Sequence, residues 1–547
     1  MEWNGQTLYF NGNILTVDEN FTIAEAVLTG GGRILAVGKL ADVEAQAFAG
    51  AKRHNLSGRT MIPGFVDPHG HFPDSGFLAL FRVDVAPPPI GNCDSLEKLF
   101  ERLAERARKT PPGDWIIAAR FDPAGFSGAR YPTRDELDRV STRHPIWLSH
   151  FTGHAGVANS LALAFRGVDE SSADPAGGML GRIHESGRLD GLLTGMAAMG
   201  AMGDTEFMMN LERFHAAVKL ASEEYLSEGV TFAQNAWAPE TLLKYFCDLA
   251  TKPDDGRVGV MVLPAGFLEP QFTNGELGFT DPASQSVIFG PRKLFADGSI
   301  HIQTACLTKP YHRPLNGDPS YCCKPSITVE DMCKRMLPLH NAGFQLHIHA
   351  NGDATADIVL EAMARVLEHT PRDDHRHTLI HAQTLRSDQL DRLAELGMSV
   401  SFFTAHVHYW GEYHHDVSLG PERAANISPA GWAAERGLRY TIHNDTTVTP
   451  MLPLHLMWCA VQRMTAAGRV LGPHQRISAR EALKAHTIDA AWQVFQESER
   501  GSIEVGKRAD FSILSSDPLG NNDAIRDISV LETILGGRVV YKRAQGA

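Results

Sequence analysis

The chain contains 547 residues, of which 43% are hydrophobic and 21% charged, and its formal net charge is −13. This length exceeds what a single hydrophobic core supports, so we expect one large domain with one or two smaller units. The net negative charge and the lack of a basic patch argue against nucleic acid and membrane surfaces as partners. A small molecule is left as the expected partner.

The N-terminal residues show neither the cationic nor the apolar region of a secretory signal. The sequence also lacks the roughly 20 consecutive apolar residues of a membrane span, so we expect a cytoplasmic protein. Its seven cysteines include the adjacent Cys322 and Cys323 but no CxxC pair, which is typical of neither a disulfide framework nor a zinc–thiolate site. Any bound metal is therefore expected on nitrogen and oxygen ligands.

The two ends of the chain have the same sequence pattern. Residues 1–60 contain short β-like segments broken by glycine and asparagine, and residues 495–547 repeat this pattern. Neither half forms a complete sheet on its own. We therefore predict one composite β-sandwich made from the N- and C-terminal segments.

The middle of the chain alternates apolar β-like runs with helical patterns, which is typical of parallel βα units. The predicted fold class is therefore α/β, with a closed (β/α)8 TIM-like barrel formed by residues 61–73 and 201–494. The eight predicted strands are residues 62–69, 229–235, 257–263, 290–297, 344–349, 377–381, 398–404 and 438–445.

The stretch between the first two barrel strands is too long for one crossover. It contains β-like runs of its own, so we predict an inserted α/β domain over residues 74–200. This domain leaves the barrel at the mouth where barrel active sites lie. We therefore expect it to act as a lid or to select the substrate.

Histidines and other ligand-type residues follow the predicted strands. His69 and His71 end the first strand, where alternate residues face the same side and can converge on one ion. An HxH pair is also common on exposed strands, so the prediction depends on further ligands. Such ligands follow later strands, whose carboxyl ends share one mouth: Lys293, His347, His349, His381 and Asp445.

Each of these later residues has an ordinary alternative. Lys293 could extend to solvent or pair with Asp297, and His381 could be a hydrogen-bonded core histidine. Asp445 could cap the following helix. The alternation of side chains allows either or both of His347 and His349 to face the ion. The joint pattern over several strands favours a metal site.

Several motifs resemble the amidohydrolase superfamily, in the YtcJ/AepA-like branch that includes N-substituted formamide deformylases. They span nearly the whole chain and are IPGFVDPHGH (62–71), RKLFADGSIHIQTACLTKPY (292–311), HIHANGDATAD (347–357), RHTLIHAQTL (376–385), SFFTAHVHYWGEYH (401–414) and GSIEVGKRADFSIL (501–514). The strand-8 motif departs from the family pattern, because Thr446 and Thr447 follow Asp445.

The resemblance implies a site with two divalent metal ions. His69 and His71 would bind one ion and His349 and His381 the other, with zinc as the default and manganese or iron as alternatives. Lys293 would bridge both ions as an N-carboxylate formed with carbon dioxide, which requires a neutral amine.

Further expectations concern Asp445 and the substrate. Asp445 would lie beside the hydrolytic water as the catalytic carboxylate and move its proton. Resemblance to the inserted-domain motif suggests that His154 and Asn159 contact the substrate. After strand 7 we expect substrate contacts from His406 and Trp410, whereas His414 and His415 could equally be surface histidines.

The predicted function is hydrolysis of a carbon–nitrogen bond other than a peptide bond, in an amide or N-acyl small molecule, by attack of a metal-bound hydroxide. Two other reactions use the same chemistry, namely deamination of a cyclic amidine and hydrolysis of an ester or carbamate. Outside the enzymes, a non-catalytic regulator or binding protein could retain the fold. A homodimer would be unsurprising, because twofold dimers are the commonest oligomers of soluble proteins.

Overall fold

The computed structural model describes residues 5–544 except 127, 129, 176–177, 196–209, 254, 269–270, 272–283, 285 and 316. Its strands are β1 Thr7–Leu15, β2 Ile23–Gly30, β3 Arg33–Gly38, β4 Lys52–Asn55, β5 Thr60–Pro63, β6 Phe65–Val66, β7 Val83–Asp84, β8 Ile116–Phe121, β9 Ile146–His150, β10 Ala155–Ala158, β11 Met179–Arg182, β12 Leu189–Thr194, β13 Val230–Ala238, β14 Gly259–Pro264, β15 Val287–Phe289, β16 Arg292–Phe295, β17 Leu346–Ala350, β18 Thr378–His381, β19 Ser399–Phe402, β20 Tyr440–Ile442, β21 Phe511–Leu514, β22 Val530–Leu535 and β23 Arg538–Lys542.

The α-helices lie mainly between the strands of the middle of the chain. They are α1 Leu40–Glu44, α2 Asp74–Phe81, α3 Leu96–Lys109, α4 Arg134–Val140, α5 Ser160–Phe165, α6 Leu211–Ser227, α7 Glu240–Ala250, α8 Val329–Asn341, α9 Asp353–His369, α10 Ser387–Glu395, α11 His406–Tyr413, α12 Pro421–Ala424, α13 Ala430–Glu435, α14 Pro453–Gln462, α15 Ala479–Ala485 and α16 Ile488–Gln493.

Strands from both ends of the chain share one eight-stranded sheet. Its order is β23-β22-β21-β5-β1-β2-β3, and β4 pairs with β1. The two terminal segments meet where β5 pairs antiparallel with β21, with Pro63 opposite Phe511. A buried cluster on this sheet, which includes Tyr9, Met61 and Ile534, joins side chains from both segments.

The middle of the chain forms two parallel sheets. One has the order β15-β14-β13-β6 and the other the order β16-β17-β18-β19-β20. All five residues of β17 are buried, as expected for a strand covered on both faces. Ala265 and Lys293 form a parallel bridge between the two sheets.

The predicted strand at 290–297 differs from the structure in its bounds. Two short strands lie in this region. β15 pairs with β14, β16 pairs with β17, and Gly290 and Pro291 separate β15 from β16. Proline has no N–H to donate to a neighbouring strand, so the ladder is interrupted there. Arg292 N resumes the pairing by donating to Gln345 O at 2.8 Å.

The segment after β6 contains a sheet of its own, with the order β11-β12-β10-β9-β8-β7. Strands β7, β8 and β9 are parallel, whereas β10, β11 and β12 pair antiparallel. Its buried core includes Leu99, Ile116 and Leu148. The predicted boundary between residues 200 and 201 lies outside the described residues.

A large apolar core lies between the parallel strands and the helices that follow them. It includes Phe65, Val262, Ile348 and Val400 from the strands and Val359 from α9. Helix α15 begins with a reciprocal capping box, in which Glu481 N donates to Ser478 Oγ at 3.2 Å and Ser478 N to Glu481 Oε2 at 2.7 Å. Among the helices of the described ranges, none has the length and apolar character needed to span a membrane.

Candidate functional site

Side chains with metal-ligand chemistry meet at the carboxyl ends of the parallel strands. Different strands deliver them to one cavity of about 300 Å³. The carboxyl ends of parallel strands open at the same edge, which brings residues far apart in sequence together. The six predicted ligands all line this cavity: His69, His71, Lys293, His349, His381 and Asp445.

The Asp445 carboxylate lies among three of the imidazoles. Its Oδ1 is 3.2 Å from His71 Nε2 and 3.6 Å from His69 Nε2, and its Oδ2 is 4.0 Å from His381 Nδ1. Burial alone would raise the pKa of Asp445, but the neighbouring His71, His443 and Lys293 lower it overall. Asp445 is therefore a carboxylate at neutral pH.

Lys293 lies at the bottom of the cavity with its amine beside His69. The Nζ atom is 3.4 Å from His69 Nε2, and the residue is only 3% exposed. Burial lowers the pKa of Lys293 to about 7, although the Asp445 carboxylate acts in the opposite direction. The alternative pairing with Asp297 is not formed, because the Asp297 carboxylate accepts instead from Asn351 N and Gly352 N, at 2.9 and 2.8 Å.

His349 contacts His381, with ring centroids 4.6 Å apart. Its Nε2 is 3.0 Å from the Gly298 carbonyl. Asn351 Nδ2 is 3.1 Å from the same nitrogen. His347 lies two residues before His349 on β17, so both side chains face the same side of the strand. His347 is paired in register with Lys293 and is fully buried. Of the two histidines, only His349 lines the cavity.

The donor set fits a divalent metal. Burial keeps the pKa of His69 and His381 well below the usual value and lowers the pKa of His349 to about 3, so their imidazoles are neutral. Ligand atoms of His69, His381 and Asp445 lie within 4.8 Å of one another. Asp445 Oδ1 is buried, and although His71 Nε2 lies 3.2 Å away, this oxygen accepts no hydrogen bond of suitable geometry from the described residues. Neutral imidazoles and an unpartnered carboxylate oxygen suit zinc, manganese or iron.

The backbone at this edge is constrained to present the ligands. A Cβ atom on Gly70 would lie 2.3 Å from Asp67 Oδ2, so a larger residue between His69 and His71 would displace the Asp67 carboxylate. Both His381 and Asp445 have left-handed backbone, with φ of 68° and 53°. Such conformations are strained for residues other than glycine and cluster at functional sites.

The inserted segment supplies the facing wall of the cavity. The end of β9 and the turn that follows it, residues 149–154, line it together with Arg120 of β8. His154 lies on this wall, with its ring centroid 5.9 Å from that of His349. Burial lowers the pKa of His154 to about 4, so its imidazole is neutral. The position agrees with the predicted substrate contact of His154, which stays a prediction.

The structure corrects the predicted position of Asn159. This residue is fully buried and lies away from the residues that line the cavity. Its Oδ1 accepts from Ile146 N and Ala162 N at 2.9 and 3.0 Å, and its Nδ2 donates to Ser141 O and His144 O at 3.2 and 3.0 Å. Asn159 therefore caps α5 and ties this helix to the stretch from Ser141 to Ile146 that leads into β9.

His406 and Trp410 also lie outside the cavity that holds the six predicted ligands. Trp410 stacks on Phe151 at 4.7 Å and donates from Nε1 to Asp122 Oδ2 at 3.0 Å. It lines a neighbouring cavity of about 350 Å³, and Phe151 borders both cavities. His406 is buried against His301 and His414. The structure therefore does not bring His406 and Trp410 together with the six ligands, and their substrate contacts stay a prediction. The alternative of a surface position is wrong for His414, which is fully buried.

The predicted set lacks His443, which supports His381. Its Nε2 is 3.1 Å from His381 Nδ1, and its Nδ1 is 2.8 Å from Ser401 Oγ. A ligand histidine is commonly oriented through its second nitrogen in this way. In the sequence, His443 precedes Asn444 and Asp445 at the end of a strand, but this pattern is no different from that of a core histidine.

The fold and the donor set are those of an α/β metal-dependent hydrolase. The model described as the amidohydrolase family matches residues 54–541, so the chain belongs to the amidohydrolase family. N-substituted formamide deformylase of Arthrobacter pascens is 30% identical to the chain, over 98% of each protein. YtcJ of Bacillus subtilis strain 168 is 26% identical, over 98% of this chain and 100% of YtcJ.

A solved structure supports the fold. An uncharacterised metal-dependent hydrolase from Pyrococcus horikoshii OT3 aligns with a TM-score of 0.75 at 22% identity, over 95% of this chain and 99% of that one. The predicted YtcJ/AepA-like branch of the amidohydrolase superfamily and the predicted α/β fold class are therefore confirmed.

Proposed function

We propose that the two parallel sheets form one closed (β/α)8 barrel, with strand 4 divided between β15 and β16. The bridge between Ala265 and Lys293 and the bond from His71 N to Thr446 O, at 2.9 Å, support closure at both seams. We keep the division into a barrel of residues 61–73 and 201–494, an inserted domain of residues 74–200 and a composite β-sandwich of residues 1–60 and 495–547. This arrangement sets the inserted domain over the barrel mouth.

We propose that the protein hydrolyses carbon–nitrogen bonds, other than peptide bonds, in small amides or N-acyl compounds. The observation that carries this proposal is the convergence of all six ligand-type side chains on one cavity. The likeness to an N-substituted formamide deformylase, at 30% identity over nearly the full length, supports an N-substituted formamide or related small amide.

In this proposal, His69 and His71 hold one divalent ion, and His349 and His381 hold another. Lys293 would bridge them as the N-carboxylate, since its amine is buried and its pKa of about 7 leaves much of it uncharged. Zinc is the expected element because the ligands are imidazole nitrogens and carboxylate oxygens. When bound, the ions supply a water of lowered pKa and polarise the carbonyl of the substrate.

Asp445 would serve as the general base and then as the general acid. Its carboxylate is ionised, lies between the imidazoles of His69, His71 and His381, and has one unpartnered buried oxygen. It accepts the proton of the attacking water and returns it to the leaving nitrogen. This transfer matters because an amine anion is a poor leaving group.

The rest of the cavity would bind the apolar part of the substrate. Its walls include the aromatic side chains of Phe151, Trp237 and Phe295 and the aliphatic Val448. The volume of about 300 Å³ suits a small ligand. His154, on the facing wall, could donate or accept a hydrogen bond with the amide group, because its imidazole is neutral.

A reconstitution assay tests the proposed function. Chelator-treated protein is reloaded with zinc, manganese or iron and incubated with N-substituted formamides, other N-acyl amines, a cyclic amidine, an ester and a carbamate. We expect amine release from the formamides and N-acyl amines only after metal is added. Ammonia release from the amidine alone, or release of alcohol without amine, would replace the proposal with a deaminase or an esterase.

A further inference from the structure

Three histidines form a second cluster, separate from the six proposed ligands. His301 lies in the loop after β16, His406 begins α11, and His414 directly follows α11. All three are buried, with exposures of 6%, 4% and 0%. Their ring centroids are 4.8–5.4 Å apart, and one nitrogen from each lies within 4.8 Å of the other two.

The hydrogen bonds of this cluster leave one imidazole incomplete. His406 Nδ1 is 3.2 Å from His414 Nε2, and His414 Nδ1 is 3.0 Å from Ser418 Oγ. His301 Nδ1 is 3.5 Å from Ser299 Oγ, but its Nε2 is buried with no hydrogen-bond partner among the described residues. A buried imidazole nitrogen without a partner is unfavourable and needs explanation.

We propose that His301, His406 and His414 bind a divalent transition metal, with zinc as the expected ion. Zinc–nitrogen bonds of about 2.0–2.1 Å in tetrahedral geometry place ligand nitrogens about 3.3–3.4 Å apart. The observed 3.2 Å between His406 Nδ1 and His414 Nε2 is close to that spacing. An ion there would give His301 Nε2 the partner that it lacks.

The surroundings of the cluster suit such an ion. Burial lowers the pKa of His301 and His406 well below the usual value and that of His414 to about 3, so all three are neutral at physiological pH. Ser418, beside the second nitrogen of His414, gives the orienting contact that ligand histidines commonly have. Tyr413 stacks on His301 and donates from its hydroxyl to the His301 carbonyl at 2.8 Å.

Aromatic side chains separate this cluster from the proposed hydrolytic site. The Phe403 ring lies between His406 and His443, with centroid distances of 4.3 and 5.3 Å. Phe151 and Trp410 contact His301 at 4.8 and 4.9 Å and also line the 350 Å³ cavity. An ion in the cluster would therefore lie behind the aromatic wall of that cavity. With three protein ligands, it would keep a fourth position for water or an exogenous donor.

Anomalous diffraction on the full-length wild-type protein tests this site directly. Chelator-treated protein is dialysed against equimolar to threefold zinc, freed of excess metal and crystallised, and data are collected on both sides of the zinc absorption edge. We expect a zinc peak about 2.0–2.1 Å from a nitrogen of each of the three imidazoles. Zinc peaks at His69 and His381 with none between His301, His406 and His414 would overturn the proposal.

Metal content provides a second readout. His301→Ala should lower the bound zinc by one ion per chain relative to wild type and leave the peak at His69 and His381 in place. His408→Ala is the matched control. His408 lies on α11 with His406, but it is outside the cluster, and its Nδ1 is 3.0 Å from Met464 O. Unchanged zinc content in folded His301→Ala would contradict the site. If this variant does not fold, the wild-type diffraction decides.

Discussion

At the scale of single residues, Lys293 is the most unusual group of the site. An ordinary lysine has a pKa near 10.4 and is almost fully charged at neutral pH, whereas burial lowers the pKa of Lys293 to about 7. An amine that is partly uncharged can react with carbon dioxide. The position of Nζ, 3.4 Å from His69 Nε2, would direct the resulting carboxylate toward the proposed ions.

Lys293→Ala should therefore lose at least 100-fold in kcat, because the bridge between the proposed ions is missing. Short carboxylic acids such as acetate or propionate should restore part of the activity by occupying the vacated volume. The measurement is amine release with and without added acid, beside metal analysis of the same samples. Lys309→Ala changes an exposed lysine and should behave as wild type. A fully active Lys293→Ala would exclude the bridging role.

The sequence predicts the proposed metal ligands better than it predicts the residues that orient them or pack beside them. His69, His71, His381 and Asp445 each follow a recognisable strand, so strand order alone brings them to one edge. The support from His443, and the bond from Trp410 to an aspartate 288 residues earlier, depend on side-chain packing between distant segments. The local pattern of residues along the sequence does not indicate such contacts.

At the scale of elements, the inserted sheet determines how the cavity is closed. The end of β9 and the turn that follows it line the cavity with the histidines, and Asn159 ties α5 to the stretch from Ser141 to Ile146 that leads into β9. Sequence resemblance suggested a substrate contact for Asn159. The motif marks a cap that holds the turn in place.

Asn159→Ala should destabilise the protein by about 2–4 kcal/mol, because it removes a helix cap and leaves two buried backbone N–H groups unpaired. Well below the unfolding temperature, KM should stay near the wild-type value. Thermal unfolding followed by calorimetry, with steady-state kinetics at low temperature, checks both expectations. Asn521→Ala removes an exposed cap and should cost less. A raised KM with unchanged unfolding temperature would instead support substrate contact.

The positions of strands were predictable where a β-like run lies between two helical patterns, as in β13 and β17. The division of strand 4 was not predicted, because the effect of the N–H that Pro291 lacks depends on which neighbour each piece pairs with. Likewise, the antiparallel pairing of β5 with β21 joins residues more than 400 positions apart.

At the scale of the whole molecule, neutral buried histidines dominate the response to acid. Burial lowers the pKa of many histidines in the folded chain, whereas an unfolded histidine has a pKa near 6.5. Carboxyl groups with a raised pKa, such as Asp67 and Asp297 at about 7, act in the opposite direction but are fewer among the described residues. Histidines whose folded pKa lies at about 3 are His150, His349, His414 and His443.

The metal-free protein should therefore lose stability as the pH falls from about 6.5 towards 3. In that window the unfolded chain binds protons that the folded chain does not bind, so the free energy of unfolding falls. At pH 5 this amounts to about 2 kcal/mol for each such histidine. The measurement is the thermal unfolding midpoint of chelator-treated protein at pH 7.5, 6 and 5. A midpoint that rises or stays constant on acidification would contradict this assignment.

Asp445→Asn tests most directly that the six side chains form a hydrolytic metal site. Asparagine keeps the size of aspartate and an oxygen for the ion, but it cannot accept and return a proton. With zinc content matched to wild type by elemental analysis, we expect kcat for amine release from an N-substituted formamide to fall about 10²–10⁴-fold. Turnover near the wild-type rate at matched zinc content would contradict the proposed role of Asp445.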